Sequence, residues 1–109
     1  NAFLRAVELY RKAGEAQGEH FEIGKYLPQL VQKAGARNVQ VRLAQPAYLS
    51  GIEKKLPSWT VEEATPYLLQ AGIATQEEID AVLEAVRLLE EDETVLFLMA
   101  RMTQVWGIK

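Results

Sequence analysis

Apolar residues recur along this chain with a helical period in several stretches and with a period of two in one. Near the start, Phe3, Val7 and Tyr10 share a helical face with Ala6 and Ala13, while Arg5, Glu8, Arg11 and Lys12 fall largely elsewhere. Gly14 and Gly18 are expected to end that helix. A second helix carries Leu27, Leu30, Val31 and Ala34 at the i, i+3, i+4, i+7 spacing, with Pro28 tolerated in its first turn and Gly35 as the left-handed stop. From Asn38 the period becomes two: Val39, Val41 and Leu43 point one way and Gln40 and Arg42 the other, as a strand with one buried face requires. Pro46, Ser50, Gly51 and Pro57 mark the following stretch as a loop.

The second half repeats the helical pattern. Thr60 with Glu63 and Thr75 with Glu78 both have the capping-box spacing, in which hydroxyl and carboxylate satisfy unpaired amides at a helix start. Pro66 predicts that the first of these helices is kinked or restarts with Thr65 as its cap, and Gly72 stops it. The next helix has the clearest pattern, with Ile79, Val82, Leu83, Val86 and Leu89 on one face and Glu77, Asp80, Glu84 and Arg87 away from it. Fraying is expected at Glu90 to Glu93, where negative charge opposes the helix dipole. Val95 to Met99 and Met102 to Ile108 read as extended. The expected architecture is α/β, or α+β as an isolated piece: about four helices packed on a small antiparallel sheet formed by the strand near Val39 to Leu43 and the terminal strand.

With 109 residues, 49% hydrophobic and 25% charged, the chain has the composition of one globular domain spanning residues 1–109. A net charge of -3 and the absence of any Lys or Arg run longer than two argue against a nucleic acid or an anionic membrane as partner. Without cysteine there are no disulfides, thiolate chemistry or cysteine metal sites, and a cytoplasmic location is the default. The chain starts at Asn1 with an amphipathic helix almost at once, so this end is expected to be cut from something longer.

The stretch from Phe21 to Leu43 resembles the helix and strand that follow the cofactor-binding half of class I S-adenosylmethionine-dependent methyltransferases. Ile23, Gly24, Leu27, Pro28, Leu30, Ala34 and Gly35 look like the helix before the sixth strand, and Val39, Val41 and Leu43 like that strand. Gln104, Val105, Trp106 and Gly107 look like the seventh, which in many relatives closes with Val-x-Trp-Gly. The helices from Thr60 to Glu91 would be the insertion between these strands. The resemblance implies a truncated fragment: the carboxyl-terminal, substrate-side portion of a small-molecule methyltransferase, whose partner would be the missing amino-terminal half or a second copy.

That family's cofactor site uses a glycine-rich turn after the first strand and an acidic residue ending the second. Here Gly14, Gly18, Gly24, Gly35, Gly51, Gly72 and Gly107 form no Gly-x-Gly, so S-adenosylmethionine is implied for the intact parent and no cofactor for this chain. Phe21, Tyr48, Trp59 and Tyr67 are candidates for covering a small-molecule acceptor, although core or rim packing is the plainer reading, and Trp106 is expected in the core. His20, beside Glu19, is a weak candidate general base against an acceptor hydroxyl and otherwise a solvated loop histidine. The paired glutamates, adjacent on helices and so pointing apart, carry no calcium-loop spacing and no metal site is expected. From a different class, the chain could be a small-ligand-binding or homodimeric interaction module that pairs strand edges or exchanges its first helix. An unrelated helical adaptor is a third reading.

Overall fold

In chain order the elements are α1 (Ala2–Ala16), α2 (Leu27–Lys33), β1 (Arg37–Ala44), β2 (Ala47–Tyr48), α3 (Leu56–Gln70), α4 (Gln76–Glu91), β3 (Phe97–Leu98) and β4 (Met102–Ile108). Single 3₁₀ turns occupy Ile23–Tyr26 and Ile52–Lys55. The structure, a computed structural model, describes residues 1–109. The fold is α+β, and the chain divides into a helical unit (Asn1–Glu19 and Tyr48–Phe97) and a sheet unit (His20–Ala47 and Leu98–Lys109). β2 pairs with β3, where the chain passes from one unit to the other.

In the helical unit α1, α3 and α4 pack on one another. Asn1 caps α1, its side-chain oxygen accepting from the amides of Phe3 at 2.8 Å and Leu4 at 3.3 Å. The fully buried face of α1 is Ala6, Leu9, Ala13 and Gly14, with Phe3, Val7 and Tyr10 half-buried beside it. Gly14 therefore lies inside the helix instead of ending it. Glycine there leaves no side chain in a packed helix face, and the stop falls to Gly18 at φ +87°. Val61 and Leu68 of α3 and Ile79, Val82, Leu83 and Val86 of α4 complete the core, with Leu89 half-buried. Each fully buried Leu, Ile or Val of this set contributes about 1.5–3 kcal/mol relative to exposure.

α3 begins at Leu56, with Pro57 in its first turn, where the missing amide hydrogen costs nothing. Thr60 is thus inside the helix and not at its cap: its hydroxyl donates back to the Leu56 carbonyl at 2.7 Å. Thr65 does the same to Val61 at 2.8 Å, and α3 runs through Pro66 without restarting. At the second position the hydroxyl half of the capping box forms, the Thr75 hydroxyl accepting from the Glu78 amide at 3.2 Å, while the Glu78 carboxylate lies by Arg5 at 3.6 Å.

In the sheet unit β1 and β4 pair antiparallel, placing Val41 opposite Val105, Leu43 opposite Thr103 and Gln40 opposite Trp106. The register slips between Arg37 and Gln40, where Asn38 sits at φ +52°, a left-handed conformation that asparagine tolerates. Within the sheet unit α2 packs on both strands. Gly24 and Gly107 fit tightly: a Cβ on Gly24 would lie 2.7 Å from Thr103 Oγ1, and one on Gly107 would lie 3.0 Å from the Arg37 carbonyl.

No residue of the sheet unit is fully buried. Val41 and Leu43, expected on a buried strand face, are 51% and 56% exposed. Leu30 and Ala34 of the α2 stripe are exposed as well. Trp106, expected in the core, is 52% exposed, on the face opposite Val41 and Val105. Alternation sorts side chains into two faces, but here neither face is covered well enough to bury its residues.

Candidate functional site

Lys54 is the most deeply buried charged side chain, at 2% exposure. The turn before α3 carries it inward, and its ammonium donates to the carbonyls of Leu49 at 3.0 Å, Asp92 at 2.7 Å and Val95 at 2.8 Å. All three of its donors are thereby used, which makes burial of the charge tolerable. Asp92 is the residue that ends α4, so the cation also meets the negative pole of that helix.

Beside this lock, α3 starts without a cap from its own first residues. Glu90 of α4 supplies one from 32 residues away in sequence: Oε1 accepts from the Ser58 amide and Oε2 from the Ser58 hydroxyl, both at 2.8 Å. The hydroxyl has a single proton, and the charged carboxylate takes it in preference to the Lys55 carbonyl at 3.1 Å. The acidic run is therefore held at its beginning. α4 continues through Glu91 instead of fraying at Glu90, because Glu90 sits on the positive end of α3 and Lys54 neutralises the end of α4.

Glu90 and Ser58 form one wall of a cavity of about 350 Å³ whose lining also includes Trp59, Arg87, Glu91 and Glu93. Arg87 is engaged by Glu62 across the helix pair. The Asp92 carboxyl is held below the usual carboxylate range, first by the Thr94 hydroxyl and then by the Thr94 amide, both of which donate to it. No three His, Cys, Asp or Glu side chains converge as a metal site. The Ser58 hydroxyl is committed to the Glu90 carboxylate that caps α3, and the arrangement supports recognition of a ligand through an aromatic wall and charge.

Of the residues the sequence nominates, Trp59 alone lines this cavity, 44% exposed on α3. Tyr67 is half-buried against the helical core, and Tyr48 is half-buried in β2. Phe21 and His20 belong to the sheet unit and are exposed. The His20 ring stacks on Tyr26, centroids 5.9 Å apart and planes at 15°, and the Lys25 ammonium lies 5.2 Å from the Tyr26 centroid. Sequence reasoning missed Lys54, Ser58 and Glu90. Their one signal was the charge of Lys54 next to an apolar and proline-marked helix start.

No helix is long and apolar enough to cross a membrane. Comparison with protein-family models, with curated proteins and with solved structures finds no match for the chain.

Proposed function

We propose that the chain is the substrate-side, carboxyl-terminal portion of a small-molecule S-adenosylmethionine-dependent methyltransferase. The observation that carries the reading is the β1–β4 pair: two antiparallel strands with α2 laid on them and no fully buried residue, the form a sheet's closing pair takes without its neighbouring strands. Gly24 and Gly107, two positions that carry the sequence resemblance, both have neighbours from elsewhere in the sheet unit at or within 3.0 Å of where a Cβ would lie.

The residues present do not fit the cofactor, since the glycines form no phosphate- or nucleotide-cradling turn. S-adenosylmethionine would be held by the preceding half and would supply the methyl group. This portion would shape and cover the acceptor pocket, aligning the acceptor for in-line attack so that positioning supplies much of the rate. His20, Phe21, Tyr48, Trp59 and Tyr67 remain the candidates on this side. A cytoplasmic location belongs to the same reading.

Calorimetric titration with S-adenosylhomocysteine tests it, using this chain and the same chain extended by whatever its reading frame encodes ahead of Asn1. The expected result is no saturable heat from the chain alone and one site per chain from the extended protein. Saturable binding by the chain alone, or an extension that carries no glycine-rich turn after a strand, contradicts the reading. A second reading, an interaction module without enzymatic activity, is favoured by one observation, the uneven division of charge between the units.

A further inference from the structure

The net charge of -3 conceals two strongly charged bodies of opposite sign. The helical unit carries fourteen Asp and Glu side chains against six Lys and Arg, whereas the sheet unit carries six Lys and Arg against Glu22 alone. No carboxylate side chain occurs from Ile23 to Ile52 or from Thr94 to Lys109.

One face of the sheet presents one of these six cations, Arg42, beside exposed apolar residues. Residues opposite each other in an antiparallel pair share a face, so Gln40 with Trp106, Arg42 with Gln104 and Ala44 with Met102 form one surface. Trp106, Met102 and Arg42 are all exposed there. Trp, Met and Arg are the residue types that enrich the centres of protein interfaces. The helical unit offers the complement: the cavity at Trp59, lined by four glutamates against Lys55 and Arg87, where the Glu91 and Glu93 side chains make no hydrogen bond or ion pair within the chain.

We propose that the basic Arg42–Trp106 face of the sheet unit docks on the acidic Trp59 cavity of a second copy of this chain. Charge selects this occupant. Pairing two sheet units would bring together two bodies that each carry six cations and one carboxylate, and a phosphate polymer would be disfavoured by the chain's net charge of -3. The inference does not rest on the methyltransferase reading.

Sedimentation equilibrium of the full chain at about 50 mM and about 300 mM salt tests this, because screening shortens the reach of exposed charges to within about 10 Å or less. The expected mass exceeds the 12.3 kDa monomer at low salt. The association weakens at least about tenfold at high salt. Arg42→Glu alone, and Glu91→Lys with Glu93→Lys, each weaken it to a similar extent, and all three changes in one chain restore it, a rescue that misfolded variants would not show. A monomer at about 100 μM in low salt overturns the proposal. So does an association that high salt strengthens or that the Glu91 and Glu93 changes leave untouched, and so does a monomer that instead binds single-stranded RNA or anionic vesicles. The outcome is independent of S-adenosylhomocysteine binding, so failure here leaves the methyltransferase reading standing.

Discussion

The two units solve the same problem, burying apolar surface around few elements, with different success. The helical unit closes three amphipathic helices on a core centred on Leu9, Val61, Leu68, Ile79 and Val86, all essentially inaccessible. The sheet unit lays one two-turn helix on two strands and leaves Phe21, Ile23, Leu43, Trp106 and Ile108 at 43–57% exposure. A two-stranded sheet with one short helix has too little apolar area to bury, whatever its sequence. The difference also runs in charge, since the well-packed unit is acidic and the poorly packed one basic. A surface that is both apolar and charged with one sign is suited to a partner.

Truncating the core should separate the units most strongly. Leu68→Ala is expected to cost about 2–5 kcal/mol in denaturant unfolding of the helical unit, while Val41→Ala on the sheet should cost under about 1 kcal/mol. Similar costs for both would mean that the sheet is as well packed as the helices. Lys54→Met comes next, because it leaves the Leu49, Asp92 and Val95 carbonyls without their donor; about 2–3 kcal/mol of destabilisation is expected, read by the same unfolding curves. An unchanged midpoint would show that the lock is dispensable.

Within the sheet unit the sharpest test is Gly24→Ala, which sets a methyl against Thr103. A loss of about 1–2 kcal/mol is expected from overpacking, and adding Thr103→Ala should recover most of it in a double-mutant cycle. Additive losses would remove the contact from the account. Smallest is the acid response. Lys12 first, and then Arg5, donate to Glu8 and hold its carboxyl below the usual range, as Thr94 does for Asp92. With folded values below unfolded ones, the stabilisation is present above the ordinary carboxylate value near pH ~4 and is lost as pH falls through the folded values. Asp92→Asn should therefore lower the melting temperature slightly at pH 7 and by less at about pH 2.5. An equal shift at both values would show that the carboxylate charge is not involved.

The elements were largely legible in the sequence because periodicity reports which face an element turns inward. Ile79, Val82, Leu83 and Val86 are buried as their spacing required, β1 lies where alternation put it, and β4 falls on the segment that read as extended. The capping boxes show the limit of local signals. Thr60 and Thr75 have the same spacing to a glutamate, but only Thr75 caps, because Leu56 and Pro57 open α3 a turn earlier and leave Thr60 inside it. Trp106 shows a second limit: period-two patterning assigns a face without saying whether anything lies on it. The lock and the trans cap were invisible for a third reason. Lys54 reaches Asp92 and Val95, and Ser58 reaches Glu90, over more than 30 residues, so only the assembled helices bring them together.

Native-state hydrogen exchange, followed residue by residue, tests the contrast between the units most directly. The amides of Leu9, Val61 and Leu83 should exchange only through global unfolding, and those of Val41 and Val105, although paired in the sheet, should exchange orders of magnitude faster through local opening. Equal protection at both sets of amides would contradict the account, because it would make the sheet unit a self-sufficient part of one cooperative fold.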